Sequence, residues 1–153
     1  MLPVILALDT KDLDLASKWI KSSADQIDHF KVGLEFYLLH GFEGIKKLQQ
    51  VANFKLFLDL KLYDIPNTVK GAVESVSNLN PKFLTVHASG GSKMIQEASK
   101  ALPNGLITAV ICFMVKVLGC NGKAPNQARN LLVIGYRQSL PKLRWVMRIP
   151  TGD

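Results

Sequence analysis

The chain has 153 residues, 48% of them hydrophobic and 20% charged, which is ample for one domain with a proper core and too little for two. No run of about 18 apolar residues occurs, so no membrane-spanning segment is expected. The net charge of +7 is not a nucleic-acid signature: residues 1–110 hold twelve lysines, no arginine and eleven acids (+1), whereas residues 111–153 hold three lysines, four arginines and one acid (+6).

The N-terminal MLPVILALDT has no basic residues before its apolar run and ends in an aspartate, so it reads as a first strand over 3–9 and not as a signal peptide. A cytoplasmic location follows as the expectation. Further strands are predicted at 29–35 (HFKVGLE), 55–62 (KLFLDLKL), 83–88 (FLTVHA) and 106–111 (LITAVI). Helical spacing fills the gaps. Phe42, Ile45 and Leu48 mark the second helix, Val69, Ala72, Val73 and Val76 the third, and Met94, Ile95, Ala98 and Leu102 the fourth. Strand starts recur about every 26 residues, the spacing of βα units in a parallel sheet. The cysteines, Cys112 and Cys120, fit neither a disulfide framework nor a zinc site.

Side-chain alternation separates the two faces of the third strand. Leu56, Leu58, Leu60 and Leu62 share one, and Lys55, Phe57, Asp59 and Lys61 the other. An open doubly wound sheet needs two apolar faces. Charge on one face, near the C-terminal end, suits the interior of a βα barrel opening on an active site. The other strands repeat the pattern: Asp9 is in phase with Ile5 and Ala7, Lys31 with Gly33, and His87 with Thr85. The fold class expected is therefore α/β, a partial TIM (β/α)8 barrel of about the first four to five βα units, followed by an irregular C-terminal tail.

Lys31, Asp59, Lys61 and Asp64 together make an alternating set in which each charge has an opposite neighbour, an arrangement that favours the ionised forms against burial. Lysines repel metals and no His/Cys cluster accompanies them, so metal binding is not expected. Such a set can instead manage a charge that develops on a substrate, with a lysine donating a proton, as in decarboxylation to a carbanion or proton transfer beside a carbonyl. Plain structural roles compete: a salt bridge inside the barrel for Asp59 and Lys61, and a cap on the helix beginning near Asp12 for Asp9. His87 reads as a structural residue or a support to the site rather than a catalyst, Pro66 as a first-turn helix residue, and Gly90 and Gly91 as turn residues.

The segment DLKLYDIPNT at 59–68, with LALD at 6–9, FKVGLEF at 30–36 and TVHASGG at 85–91, resembles the orotidine 5′-phosphate decarboxylase family, whose signature is D-x-K-x-x-D-I-P-N-T. D-x-K-x-x-D alone is shared with barrel enzymes acting on phosphosugars; the I-P-N-T extension is not. A phosphosugar-acting member of the superfamily and a non-catalytic remnant are the alternatives. The resemblance implies a cofactor-independent carboxy-lyase that converts orotidine 5′-phosphate to UMP and CO2 in pyrimidine biosynthesis. It implies catalytic roles for Lys31, Asp59, Lys61 and Asp64, with Lys61 protonating C6 as CO2 leaves. Asp9, Lys31, Ile65 and Thr68 would bind substrate. Asp64, Ile65 and Thr68 would reach into the site of a partner subunit, which makes a homodimer the expected assembly. No nucleic acid, membrane, metal or organic cofactor enters this expectation.

The resemblance covers 1–110, about the first half of such an enzyme, and 111–153 is set apart as a divergent basic tail. The chain is expected to be truncated or frameshifted after about residue 110, and without a phosphate site to show little or no turnover. In the tail, Leu131–Gly135 is a candidate strand, and NLLVIGYR nominates Arg137 as a phosphate ligand.

Overall fold

The computed structural model describes residues 4–111, 132–136 and 145–147. Five strands, β1 (Ile5–Ala7), β2 (His29–Gly33), β3 (Lys55–Leu62), β4 (Phe83–His87) and β5 (Leu106–Ile111), lie side by side in chain order, every neighbouring pair parallel. Helices α1 (Leu13–Ser23), α2 (Leu34–Val51), α3 (Pro66–Ser77) and α4 (Gly91–Ala101) make the four crossovers, α4 following a 3-10 turn at Ala88–Gly90. A strand order that runs 1-2-3-4-5 without reversal is that of a barrel and not of a doubly wound sheet. The protein is α/β, with the first part of a (β/α)8 barrel. Beyond β5 the plan changes: β6 (Leu132–Tyr136) pairs antiparallel with β5, and β7 (Trp145–Met147) antiparallel with β6.

The helices form where the sequence supplies caps and stripes. Asp12 caps α1 by accepting hydrogen bonds from the Asp14 and Leu15 amides at 2.8 and 3.0 Å, and Ala16 and Ile20 face inward. Pro66 opens α3, where its missing N–H is no loss, and Val69, Val73 and Val76 are buried. α4 buries Met94 and Ala98. The second helix starts earlier than its stripe suggests. β2 stops at Gly33, so Leu34 and Glu35, expected at the end of the strand, begin α2. Its first part exposes Leu34, Leu38 and Leu39 and buries Phe36 alone, short of an inward apolar stripe. Gly41, at φ +60°, breaks the helix before the stretch that buries Ile45 and Leu48.

The core lies between the helices and one sheet face. Phe30, Val32, Leu56, Leu58, Leu84, Val86 and Ile107 from the strands meet the helix residues just named. Each fully buried side chain of this kind contributes about 1.5–3 kcal/mol. On the opposite face Phe57 packs edge-on against Phe83, ring centroids 5.6 Å apart, with the His29 ring 5.8 Å from Phe83. One step nearer the C-terminal strand ends, this face becomes charged. Among the described residues, no helix is long and apolar enough to cross a membrane.

Candidate active site

Three consecutive strands, β1 to β3, build the charged cluster. The Lys31 ammonium at the middle of β2 lies 3.2 Å from Asp9 Oδ1, just beyond β1, and 3.5 Å from Asp59 Oδ2 on β3. On the other side of Asp59, Lys61 Nζ lies 2.7 Å from Oδ1. The order Asp9, Lys31, Asp59, Lys61 alternates in sign along the row. The alternation expected of Lys31, Asp59, Lys61 and Asp64 is thus present, but Asp9 holds the place given to Asp64. Asp12, not Asp9, caps α1, so the competing structural role for Asp9 is already filled.

Asp59 is the most enclosed member, with 13% of its side chain exposed, followed by Lys31 at 17% and Lys61 at 38%. Burial pushes the Asp59 carboxyl up. The Lys61 hydrogen bond and charge, the Lys31 charge and a hydrogen bond from Thr85 outweigh it and hold Asp59 below the ordinary value of 3.8. Asp59 is therefore a carboxylate at neutral pH, flanked by two ammonium groups.

Thr85 is the site residue that strand phase left unassigned. It is 1% exposed, and its hydroxyl donates to Asp59 Oδ1 at 3.0 Å while accepting the Lys61 backbone N–H at 2.8 Å. Its position in phase with His87 was visible in the sequence; its partners were not. They depend on an irregularity in β3. Between Leu58, paired with Leu84, and Leu62, paired with Val86, three β3 residues stand opposite the single residue Thr85, and Lys61 takes the left-handed φ of +51°.

Asp64, Ile65 and Thr68 stand apart from this row. Asp64 is exposed and accepts the Ile65 N–H at 2.7 Å, and Ile65, 66% exposed, precedes α3 with Thr68 on the exposed side of its first turn. Tyr63 and His87 pack edge to face with ring centroids 5.6 Å apart. Among the described residues, no three His, Cys, Asp or Glu side chains lie close enough to hold a metal ion. Arg137 lies outside the described residues. The candidate strand 131–135 is found one residue on, at Leu132–Tyr136.

The arrangement can do one thing well. It sets a carboxylate and an ammonium side by side at the mouth of a barrel, so that an anionic group entering there is repelled by Asp59 and a negative charge developing beside Lys61 is stabilised.

Comparison with known proteins gives a consistent result. The model of the Orotidine 5'-phosphate decarboxylase / HUMPS family matches residues 2–139, running past residue 110 into the tail. An orotidine 5'-phosphate decarboxylase of Thermobifida fusca is 41% identical over 138 residues, 86% of this chain and 59% of that protein. One from Wolbachia pipientis is 48% identical over 98 residues, 64% of this chain and 43% of that protein. The crystal structure of orotidine 5'-phosphate decarboxylase from Pyrococcus horikoshii superposes with a TM-score of 0.62 at 30% identity, covering 67% of this chain and 48% of that one. The chain thus spans about half the length of these relatives.

Proposed function

Since the chain belongs to the orotidine 5′-phosphate decarboxylase / HUMPS family, we propose that its charged strand ends act on orotidine 5′-phosphate, releasing CO2 and leaving UMP. The observation that carries this reading is the alternating row in which Lys61 Nζ sits 2.7 Å from Asp59 Oδ1 with Lys31 on the other carboxylate oxygen. In the proposed reaction the substrate carboxylate lies against Asp59. The bond from C6 to that carboxylate breaks, its electron pair stays on C6, and CO2 departs. Lys61 then passes a proton from Nζ to C6 and is reprotonated from solvent. Lys61 is a fixed cation 2.7 Å from Asp59, so its charge stabilises the carbanion without reorganisation. Lys31 holds Asp59 in place and, with Asp9, offers hydrogen-bonding groups to a ribose. No cofactor is required by this scheme.

The reading extends to assembly and location. Asp64, Ile65 and Thr68 are exposed and outside the row, which suits residues that complete the site of a second copy in a cytoplasmic homodimer. It also divides the chain at residue 110: the parallel βα plan holds through β5, and the next described strand is antiparallel. The test is CO2 release and loss of orotidine monophosphate absorbance with the purified chain and its Lys61→Ala variant, alongside a phosphosugar panel. Slow, Lys61-dependent decarboxylation is the expected result. Release that survives Lys61→Ala, or turnover of a phosphosugar in place of the nucleotide, would overturn the proposal.

A further inference from the structure

We infer that Thr85 is a positioning residue whose single hydroxyl stitches the β3 bulge together and so fixes Lys61 and Asp59 relative to each other. The inference deepens the proposed function and rests on it for the roles of Lys61 and Asp59; the stitch itself rests on geometry alone.

The bulge creates a problem that the fold must solve. In regular parallel pairing the β3 amides turn alternately to β2 and β4, and in phase with Lys55, whose N–H bonds Asp28 on the β2 side, the Lys61 amide would face β2. Here Asp59, Leu60 and Lys61 face only Thr85, and Lys61 is turned to φ +51°, a conformation that side-chain-bearing residues seldom adopt. The Lys61 N–H donates instead to Thr85 Oγ1 at 2.8 Å. A buried amide without a partner is costly, so this contact helps hold the left-handed turn.

A hydroxyl has one proton to give. Because the oxygen of Thr85 faces the Lys61 amide as an acceptor, its proton is directed to Asp59 Oδ1 at 3.0 Å. Oδ1 is also the oxygen that receives Lys61 Nζ at 2.7 Å. Oδ2 keeps only the longer 3.5 Å contact with Lys31. Thr85 therefore distinguishes the two carboxylate oxygens: Oδ1 is engaged twice, and Oδ2 is the one with acceptor capacity to spare. Being 1% exposed, the hydroxyl does this without competition from solvent. Valine has the same branched shape and no hydroxyl, whereas serine keeps the hydroxyl and loses a methyl group. The two substitutions separate the stitch from mere packing.

The experiment compares the native chain with Thr85→Val and Thr85→Ser by three readouts: the titration of the Asp59 carboxyl carbon by NMR, hydrogen exchange at the Lys61 amide, and kcat and KM for orotidine 5′-phosphate. In Thr85→Val the Asp59 titration is expected to move to higher pH. Lys61 exchange should quicken by about tenfold or more, on the scale of one lost hydrogen bond. kcat should fall roughly tenfold with KM changed by less than about threefold, since positioning acts on the transition state. Thr85→Ser should restore all three toward native values. Native-like Asp59 titration and Lys61 exchange in Thr85→Val, or a serine variant as impaired as the valine one, would overturn the inference. If Thr85→Val does not fold, the native chain still decides: a Lys61 amide that exchanges as fast as an unprotected one overturns it, and a protected one supports it. The first two readouts need no substrate. A native chain that leaves orotidine 5′-phosphate untouched would thus overturn the proposed function, while the role of Thr85 would still be decided.

Discussion

Replacing Asp59 with asparagine preserves the side chain's shape and removes the charge on which the row converges. In the native protein that carboxylate accepts Lys61 Nζ at 2.7 Å, the Thr85 hydroxyl at 3.0 Å and Lys31 Nζ at 3.5 Å. Lys31 retains Asp9 after the change, but Lys61 is left beside an uncharged amide. Breaking a buried ion pair costs about 3–5 kcal/mol, and an exposed pair contributes at most about 1 kcal/mol. Asp59 is 13% and Lys61 38% exposed, so the case falls between these limits, at about 2 kcal/mol. For a domain of about a hundred residues this lowers Tm by roughly 10 °C. The pH dependence has a definite sign. Asp59 is held below 3.8 in the folded chain, so its contribution is complete above the unfolded value and is lost as pH falls through the folded one. Urea unfolding followed by circular dichroism, at neutral pH and at a series of acid pH values, measures both effects. A variant as stable as the native chain at pH 7, or a gap that does not narrow below pH 3.8, would refute the reasoning.

Two further predictions concern the sheet away from the site. Asp28 Oδ2 lies 2.6 Å from Lys55 Nζ and Oδ1 2.6 Å from His29 Nδ1, and these contacts, that of Lys55 foremost, pull its carboxyl down to about 2. Asp28→Asn should lower stability at neutral pH, and its deficit should vanish between pH 3.8 and about 2; acid-unfolding curves that stay parallel through that window would count against it. Leu58 is fully buried against the helices, so Leu58→Ala should cost about 2–5 kcal/mol in chemical denaturation, and a loss under about 1 kcal/mol would mean that the sheet–helix interface is loosely packed there.

Much of the fold was legible because two periodicities alternate cleanly. Lys55–Leu62 was recognised over its full length, since four leucines in phase can only mean a strand with one buried face. Val69, Val73 and Val76, and likewise Met94 and Ala98, lie buried where helical spacing put them. The first half of α2 carries no readable stripe because Leu34, Leu38 and Leu39 turn outward, Phe36 alone is buried, and Gly41 interrupts the helix. In the site, strand phase put Asp9, Lys31, Asp59, Lys61 and His87 on one face, and the structure joins the first four through ion pairs. The alternating charges named Asp64 as the fourth member, whereas Asp9 pairs with Lys31 in its place. That choice depends on where the chain turns after Leu62, and the alternation in KLFLDLKL gives no sign of the bulge.

That bulge is where the demands of fold and site part company. Leu56, Leu58 and Leu60 are all buried on the helix-facing side, so packing has no need of a left-handed residue after them. Holding Lys61 at φ +51° costs about 1–2 kcal/mol relative to ordinary strand geometry, and regular pairing with β4 is lost over three residues of β3. Lys61 nevertheless reaches Asp59 at 2.7 Å, and Thr85 is drawn between the two. A local rule broken with no gain in the core points to a gain elsewhere, and here it lies in the geometry of one ammonium and one carboxylate. Regular strand geometry also sets residues 59 and 61 on one face, but amides there alternate between neighbours, and in phase with Lys55, whose N–H bonds Asp28 on the β2 side, the Lys61 amide would turn toward β2 and away from Thr85. The strain at Lys61 is thus spent on orientation. It is the physical reason why the sequence reveals which residues meet at this site but not how they are held.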